Sequence, residues 1–176
     1  MRKLSTKELT IGGMIAALYV VLTWVANLAG LASGAIQVRL SEALTILPVF
    51  TAAAVPGLTV GCVLANILFG LGPVDIILGS IATLLGAIGT RMLKDKPLLA
   101  WIPPVISNML IVPAVLLIYH FPDVSVTIQF TETTINASGY IPLMITVGIG
   151  EIISCGILGL LLWRSMKNIP ALKEMK

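Results

Sequence analysis

Glu151 stands in the otherwise uncharged run Gly148-Ile-Gly-Glu-Ile-Ile-Ser-Cys-Gly156, 12 residues before Trp163. At ~1.5 Å per helical residue that is about 18 Å from the end of its apolar stretch, close to the middle of a bilayer. A carboxylate at that depth is costly and usually faces a cavity or a partner, which makes Glu151 a candidate substrate-site residue. The plainer alternative is a protonated glutamate bonded to Asn66, Asn108 or a backbone carbonyl. Arg39 and Glu42 are three residues apart, a spacing that puts both on one helical face. Ser41 and Glu42 also suit the N-terminal turn of a helix, where negative charge complements the dipole. Asp75, after Gly72-Pro73, is open to the same two readings. Asn66 and Asn108 are amides in apolar segments and can read a polar ligand edge or bond helix to helix. Tyr140 can stack on a planar ligand or anchor at the membrane interface with Trp24, Trp101, Trp163 and Tyr119.

The elements that position these residues follow from composition. Of 176 residues, 57% are hydrophobic and only 11% charged, with a mean hydropathy of +1.04. A soluble domain averages about 45–50% apolar and about 25% charged residues. A soluble enzyme, a nucleic-acid-binding domain and a disordered chain are excluded on that ground. Residues 9–31 are too long for a signal-peptide core and long enough to span. Pro56-Gly57 and Gly70-Leu-Gly-Pro73 read as turns that divide the following stretch. The expected helices are 9–31, 42–56, 58–71, 74–90, 98–121 and 140–163, with an outer loop at 121–138. Within that loop Val124 to Thr131 alternates apolar and polar residues and predicts a short strand.

The charges check the count. With the N-terminus inside, six crossings place Arg2, Lys3 and Lys7, then Arg91, Lys94 and Lys96, then Arg164, Lys167, Lys173 and Lys176 on the cytoplasmic side. That accounts for 10 of the 11 basic residues, as the positive-inside rule requires. The outer loop carries Asp123 and Glu132. The expected fold is a single-domain, all-α integral membrane protein over residues 1–176, a six-transmembrane-helix bundle with both termini cytoplasmic. Arg39 is the one base left outside, and a functional role is the simplest reason for it.

Other features carry less. Gly12, Gly13, Ala16 and Ala17 form two overlapping small-residue pairs four apart, which allow close helix approach within the bundle or to a partner. Cys62 and Cys155 lie in apolar stretches and suggest no disulfide framework. His120 has no metal-ligand companion, and Asn136-Ala-Ser138 is too short a match to a glycosylation sequon to weigh. There is no G-x-x-x-x-G-K-[ST], H-E-x-x-H or G-x-S-x-G, so no phosphate loop, zinc-protease helix or hydrolase elbow is expected. No metal, cofactor or enzymatic activity is indicated.

Val38-Arg-Leu-Ser-Glu-Ala-Leu-Thr-Ile-Leu-Pro48, Ala54-Val-Pro-Gly-Leu58, Gly61-Cys-Val-Leu-Ala-Asn66 and Asp75-Ile-Ile-Leu-Gly-Ser-Ile-Ala-Thr-Leu-Leu85 resemble the QueT family. These are substrate-binding S components of energy-coupling factor (ECF) transporters for queuosine precursors. The resemblance runs over most of the chain. It implies a six-helix bundle in the bacterial plasma membrane, a transmembrane T subunit and two ABC-type ATPase subunits as partners. It also implies a small-residue face on helix 1 toward the T subunit, here Gly12, Gly13, Ala16, Ala17 and Val20, with Val21 extending one row. The implied ligand is queuine or another 7-deazaguanine base. Its guanine-like edge offers donors that a carboxylate accepts in pairs, with amides completing the match. Under that reading Glu151 takes the edge, Glu42 or Asp75 takes a cationic aminomethyl group, and Arg39 orients Glu42 or closes the outer loop.

Rival readings are an S component for riboflavin, thiamine or biotin, a self-contained proton-coupled transporter, and a structural scaffold. The scaffold is disfavoured, since it gives membrane-embedded charge no return.

Overall fold

The structure, a computed structural model, describes residues 5–31, 37–119, 126–128, 133–135 and 139–170. Arg2, Lys3, His120, Asp123, Glu132, Asn136 to Ser138, Lys173 and Lys176 lie outside the described residues. Among the described residues there are five α-helices and one long 3-10 segment. The helices are α1 (Thr6–Leu28), α2 (Ala54–Leu68), α3 (Asp75–Met92), α4 (Ile102–Tyr119) and α5 (Tyr140–Met166), with the 3-10 segment at Leu40–Val49. A short antiparallel pair, β1 (Val126–Ile128) and β2 (Thr133–Ile135), sets Thr127 opposite Thr134. β1 falls inside the stretch whose alternation predicts a strand.

Helix boundaries have local causes. Ser5 and Glu8 form a reciprocal capping box that starts α1 at Thr6, ahead of the expected residue 9. α1 and α2 each stop three residues before the expected ends at 31 and 71. In both, a left-handed glycine, Gly30 (φ 68°) or Gly70 (φ 67°), follows the cap. The next amide then bonds back five residues, Leu31 to Ala26 and Leu71 to Asn66, each at 3.0 Å. This Schellman arrangement satisfies the last carbonyls and reverses the chain. Pro103 and Pro104 lie in the first turn of α4, where a missing N–H costs nothing, so α4 begins at Ile102 and not at 98. α3 and α5 each contain a π-helical stretch, Asp75–Gly79 and Ile152–Leu158.

The expectation for 42–56 needs correcting. That segment is not an α-helix ending at Pro56-Gly57. It is a 3-10 segment ending at Val49, a turn follows, and Pro56 sits in the first turn of α2, where proline is tolerated. Ser41, Glu42 and residues 44–49 are all buried. The segment packs against α1, α2, α3 and α5 and so runs through the centre of the bundle. Arg91 of α3 donates to the Pro48 carbonyl at 3.0 Å, holding its far end.

Glycine sets the closest crossings. A Cβ at Gly57 would lie 2.7 Å from the Gly12 carbonyl oxygen, and one at Gly61 would lie 2.8 Å from Tyr19 Cβ. Of the two small-residue rows on α1, Gly12 and Ala16 therefore face α2, while Gly13 and Ala17 are exposed.

The exterior is apolar and the interior holds the polar groups, the reverse of a soluble domain. Leu28, Leu68, Met92, Ile118 and Ile141 are each more than 60% exposed, while Glu42, Thr45, Asn108, Glu151 and Ser154 are buried. Three helices, α1, α3 and α5, are individually long and apolar enough to cross a bilayer. This is the construction of a membrane protein.

Candidate functional site

The 3-10 segment delivers Arg39 and Glu42 to the middle of the bundle, and the π stretch of α5 begins directly after Glu151. These two irregular segments meet. The Arg39 amide donates to Ser154 Oγ at 3.1 Å, and Thr45 Oγ donates to the Glu42 carbonyl at 2.6 Å. Cys155 Sγ lies 3.2 Å from Glu151 Oε2 and 3.5 Å from the Glu42 carbonyl. Gly150 makes the approach possible, since a Cβ there would lie 2.2 Å from the Gln37 carbonyl oxygen.

Glu42 and Glu151 thus share one buried chamber. The Arg39 guanidinium interacts electrostatically with both, and the Asn108 amide of α4 lies beside both. Tyr19 of α1 donates its hydroxyl to Glu42 Oε1. Glu42 Oε2 is buried and has no hydrogen-bond partner among the described residues. Asn108 Nδ2 is likewise buried without a partner among the described residues, so the chamber holds an open acceptor and an open donor. Glu42, Glu151 and Cys155 also bring one ligand atom each within 4.8 Å, a donor set a divalent ion can use. The neighbouring guanidinium opposes that use, since it already supplies positive charge to both carboxylates.

Next to this chamber is a cavity of about 470 Å³, within the size range of small-molecule sites. α1 contributes Tyr19, Thr23 and Asn27, and the chain entering the 3-10 segment contributes Gln37, Arg39 and Ser41. α2 and the turn after it add Asn66, Phe69 and Leu71, and Asp75 and Leu116 complete the wall. Asn66 Nδ2 donates to the Asp75 backbone carbonyl at 3.0 Å, pinning the start of α3 to the end of α2. Asp75 Oδ2 is left without a partner among the described residues.

Of the residues singled out in the sequence, Arg39, Asn66 and Asp75 line the cavity. Glu42, Glu151 and Asn108 form the chamber behind Tyr19 and Arg39. Tyr140 stands apart: its hydroxyl donates to the Leu110 carbonyl, and it is not among the residues lining the cavity. Sequence reasoning missed Tyr19. Its signal was a hydroxyl-bearing aromatic in the middle of an apolar helix, away from the interfacial belt where such residues ordinarily sit. Gln37, Ser41 and Phe69 carried no comparable signal.

No solved structure matches the chain. The curated "Queuosine precursor transporter QueT" of Lactococcus lactis subsp. cremoris is 36% identical over 84 residues, which is 48% of this chain and 49% of that protein. The match thus spans about half the length of that relative. The family model described as "QueT transporter" matches residues 9–168. With an inverted, apolar-outside bundle and a family match over nearly its whole length, the chain belongs to the QueT transporter family.

Proposed function

We propose that this chain is the substrate-binding membrane subunit of an ECF-type importer for a queuosine precursor, queuine or another 7-deazaguanine base. The observation that carries the reading is the polar cavity walled by Arg39, Asn66 and Asp75 and backed by the buried Glu42–Glu151 pair. A guanine-type base presents a ring N–H and an amino group side by side, and a carboxylate accepts both. Glu42 and Glu151 supply acceptors for that edge, with the Asn108 amide beside them. Asp75, on the cavity wall with one oxygen free, suits a cationic aminomethyl group. Its position favours it over Glu42 for that role.

The chain crosses the bacterial plasma membrane six times as one domain with both termini cytoplasmic, the 3-10 segment serving as the second crossing. The distribution of Lys and Arg supports this topology. ATP hydrolysis comes from two ABC-type ATPase subunits and reaches this chain through a transmembrane T subunit. The exposed row of Gly13, Ala17 and Val21 on α1, with half-buried Val20 at its edge, supports a docking face there. Gly12 and Ala16 are engaged with α2.

The test is a thermal-shift series on the purified chain against queuine, 7-deazaguanine, guanine, riboflavin, thiamine and biotin. A ligand that binds the folded state raises Tm increasingly as its concentration passes Kd. Queuine or 7-deazaguanine is expected to stabilise the protein. Glu151→Gln, which replaces an acceptor oxygen with a donor, is expected to weaken that binding at least about tenfold. Stabilisation by riboflavin, thiamine or biotin would overturn the substrate. No shift with any ligand, together with transport that follows a pH gradient, would overturn the binding-subunit reading.

A further inference from the structure

Tyr19 occupies a position that the proposed ligand chemistry does not use. It is 2% exposed yet belongs to both compartments, lining the cavity and donating its hydroxyl to Glu42 on the other side. Glu42 and Glu151 are not among the residues lining the cavity, so a ligand there meets the tyrosine before it meets either carboxylate. The base of the side chain is fixed. Thr23 Oγ donates to the Tyr19 carbonyl at 2.8 Å, and α2 passes so close that a Cβ at Gly61 would lie 2.8 Å from Tyr19 Cβ. The hydroxyl end is held by its bond to Glu42, with the Cys62 thiol of α2 beside it.

Resting on the reading above, we propose that Tyr19 is a removable stopper and that the ligand's donor edge replaces its hydroxyl on Glu42. In the empty protein the phenol supplies one donor to a carboxylate that has room for more, since Glu42 Oε2 is unpartnered. A base with two adjacent donors satisfies Glu42 better than one hydroxyl does. A ligand with acceptors at that edge cannot make the exchange and leaves the stopper seated. Tyr19 is therefore a specificity-determining residue that selects for donors by being displaced, and it contributes no contact of its own to the bound edge.

The exchange fixes the direction of a mutational effect. Tyr19→Phe removes the competing hydrogen bond from the empty state only, so 7-deazaguanine should bind about tenfold tighter by isothermal titration, the scale of a hydrogen bond to a charged group. 7-Deazahypoxanthine, which lacks the exocyclic amine, should gain less. Tyr19→Leu should act in the same direction. A Tyr19→Phe affinity that is unchanged or weaker would overturn the stopper while leaving the binding-subunit reading intact. Failure of the unaltered protein to bind 7-deazaguanine would remove the ground of both. Should both variants fail to fold, isotope-labelled tyrosine in Tyr119→Phe/Tyr140→Phe gives a single reporter, the chain having three tyrosines. Its ring-carbon resonance next to the hydroxyl should move when 7-deazaguanine is added, and a stationary resonance would overturn the proposal.

Discussion

Gly150→Ala is expected to leave little folded protein. The added methyl would lie 2.2 Å from the Gln37 carbonyl oxygen and 3.1 Å from its carbon, both backbone atoms that cannot rotate away. Relief requires the chain entering the 3-10 segment to move off α5. That movement breaks the bond from the Arg39 amide to Ser154 Oγ and opens the Glu42–Glu151 chamber. Overpacking a core by one methyl typically costs about 1–3 kcal/mol, and an immovable backbone places this site at or above the upper end. The measurement is the monodisperse fraction and Tm in detergent. Gly13→Ala is the control: a Cβ there meets nothing within 4 Å. That variant is expected to match the unaltered protein, and equal behaviour of the two would overturn the account of the crossing.

Arg39→Met is expected to destabilise the protein through the charges it leaves behind. The guanidinium is the positive group that acts electrostatically on both Glu42 and Glu151. Removing one partner from a buried charged group typically costs about 3–5 kcal/mol, because the remaining charge is unpaired. Arg39 also lines the cavity and retains some access to solvent, so a loss of about 2–4 kcal/mol is the appropriate scale. For a chain of this size that lowers Tm by roughly 5–15 °C. The decisive comparison is the double variant Arg39→Met/Glu42→Gln, which removes one of the two carboxylates left uncompensated. It should recover part of the lost stability, with Glu151 accounting for the remainder. A double variant no more stable than Arg39→Met would mean that the arginine acts through packing and not through the carboxylates.

The candidate site was legible wherever a charged or amide side chain broke an apolar background. Arg39, Glu42 and Glu151 stood out because a membrane interior tolerates so few such residues, and they converge. Asp75 and Asn66 were found the same way and lie side by side on the cavity wall. Helix rotation was not legible. α1 is hydrophobic on nearly every face, and lipid is as apolar as a protein core, so periodicity cannot say which row looks inward. That is why the Gly12/Ala16 and Gly13/Ala17 rows could not be told apart, and why Tyr19 escaped notice. Helix ends were misplaced by three residues where a glycine adopts the left-handed conformation, because Leu31 and Leu71 continue the hydrophobic run past the true stop. Pro56 misled for a related reason. A proline marks the first turn of a helix as readily as a break.

The central segment of the bundle has an arithmetic of its own. At three residues per turn, side chains three apart eclipse one another. Glu42, Thr45 and Pro48 therefore stack in a single column, with Arg39 one step above at the cap. An α-helix at about 3.6 residues per turn would swing Pro48 roughly 120° away from Glu42 over the same six residues. The neighbouring columns, Leu40-Ala43-Ile46-Val49 and Ser41-Leu44-Leu47, are apolar but for Ser41. The motif R-x-x-E-x-x-T-x-x-P is thus a period-three inscription. Its spacing turns one edge of a thin rod into three polar rungs, Arg39, Glu42 and Thr45, and ends on Pro48, whose carbonyl Arg91 binds. Its other two edges stay greasy enough to be wrapped on every side.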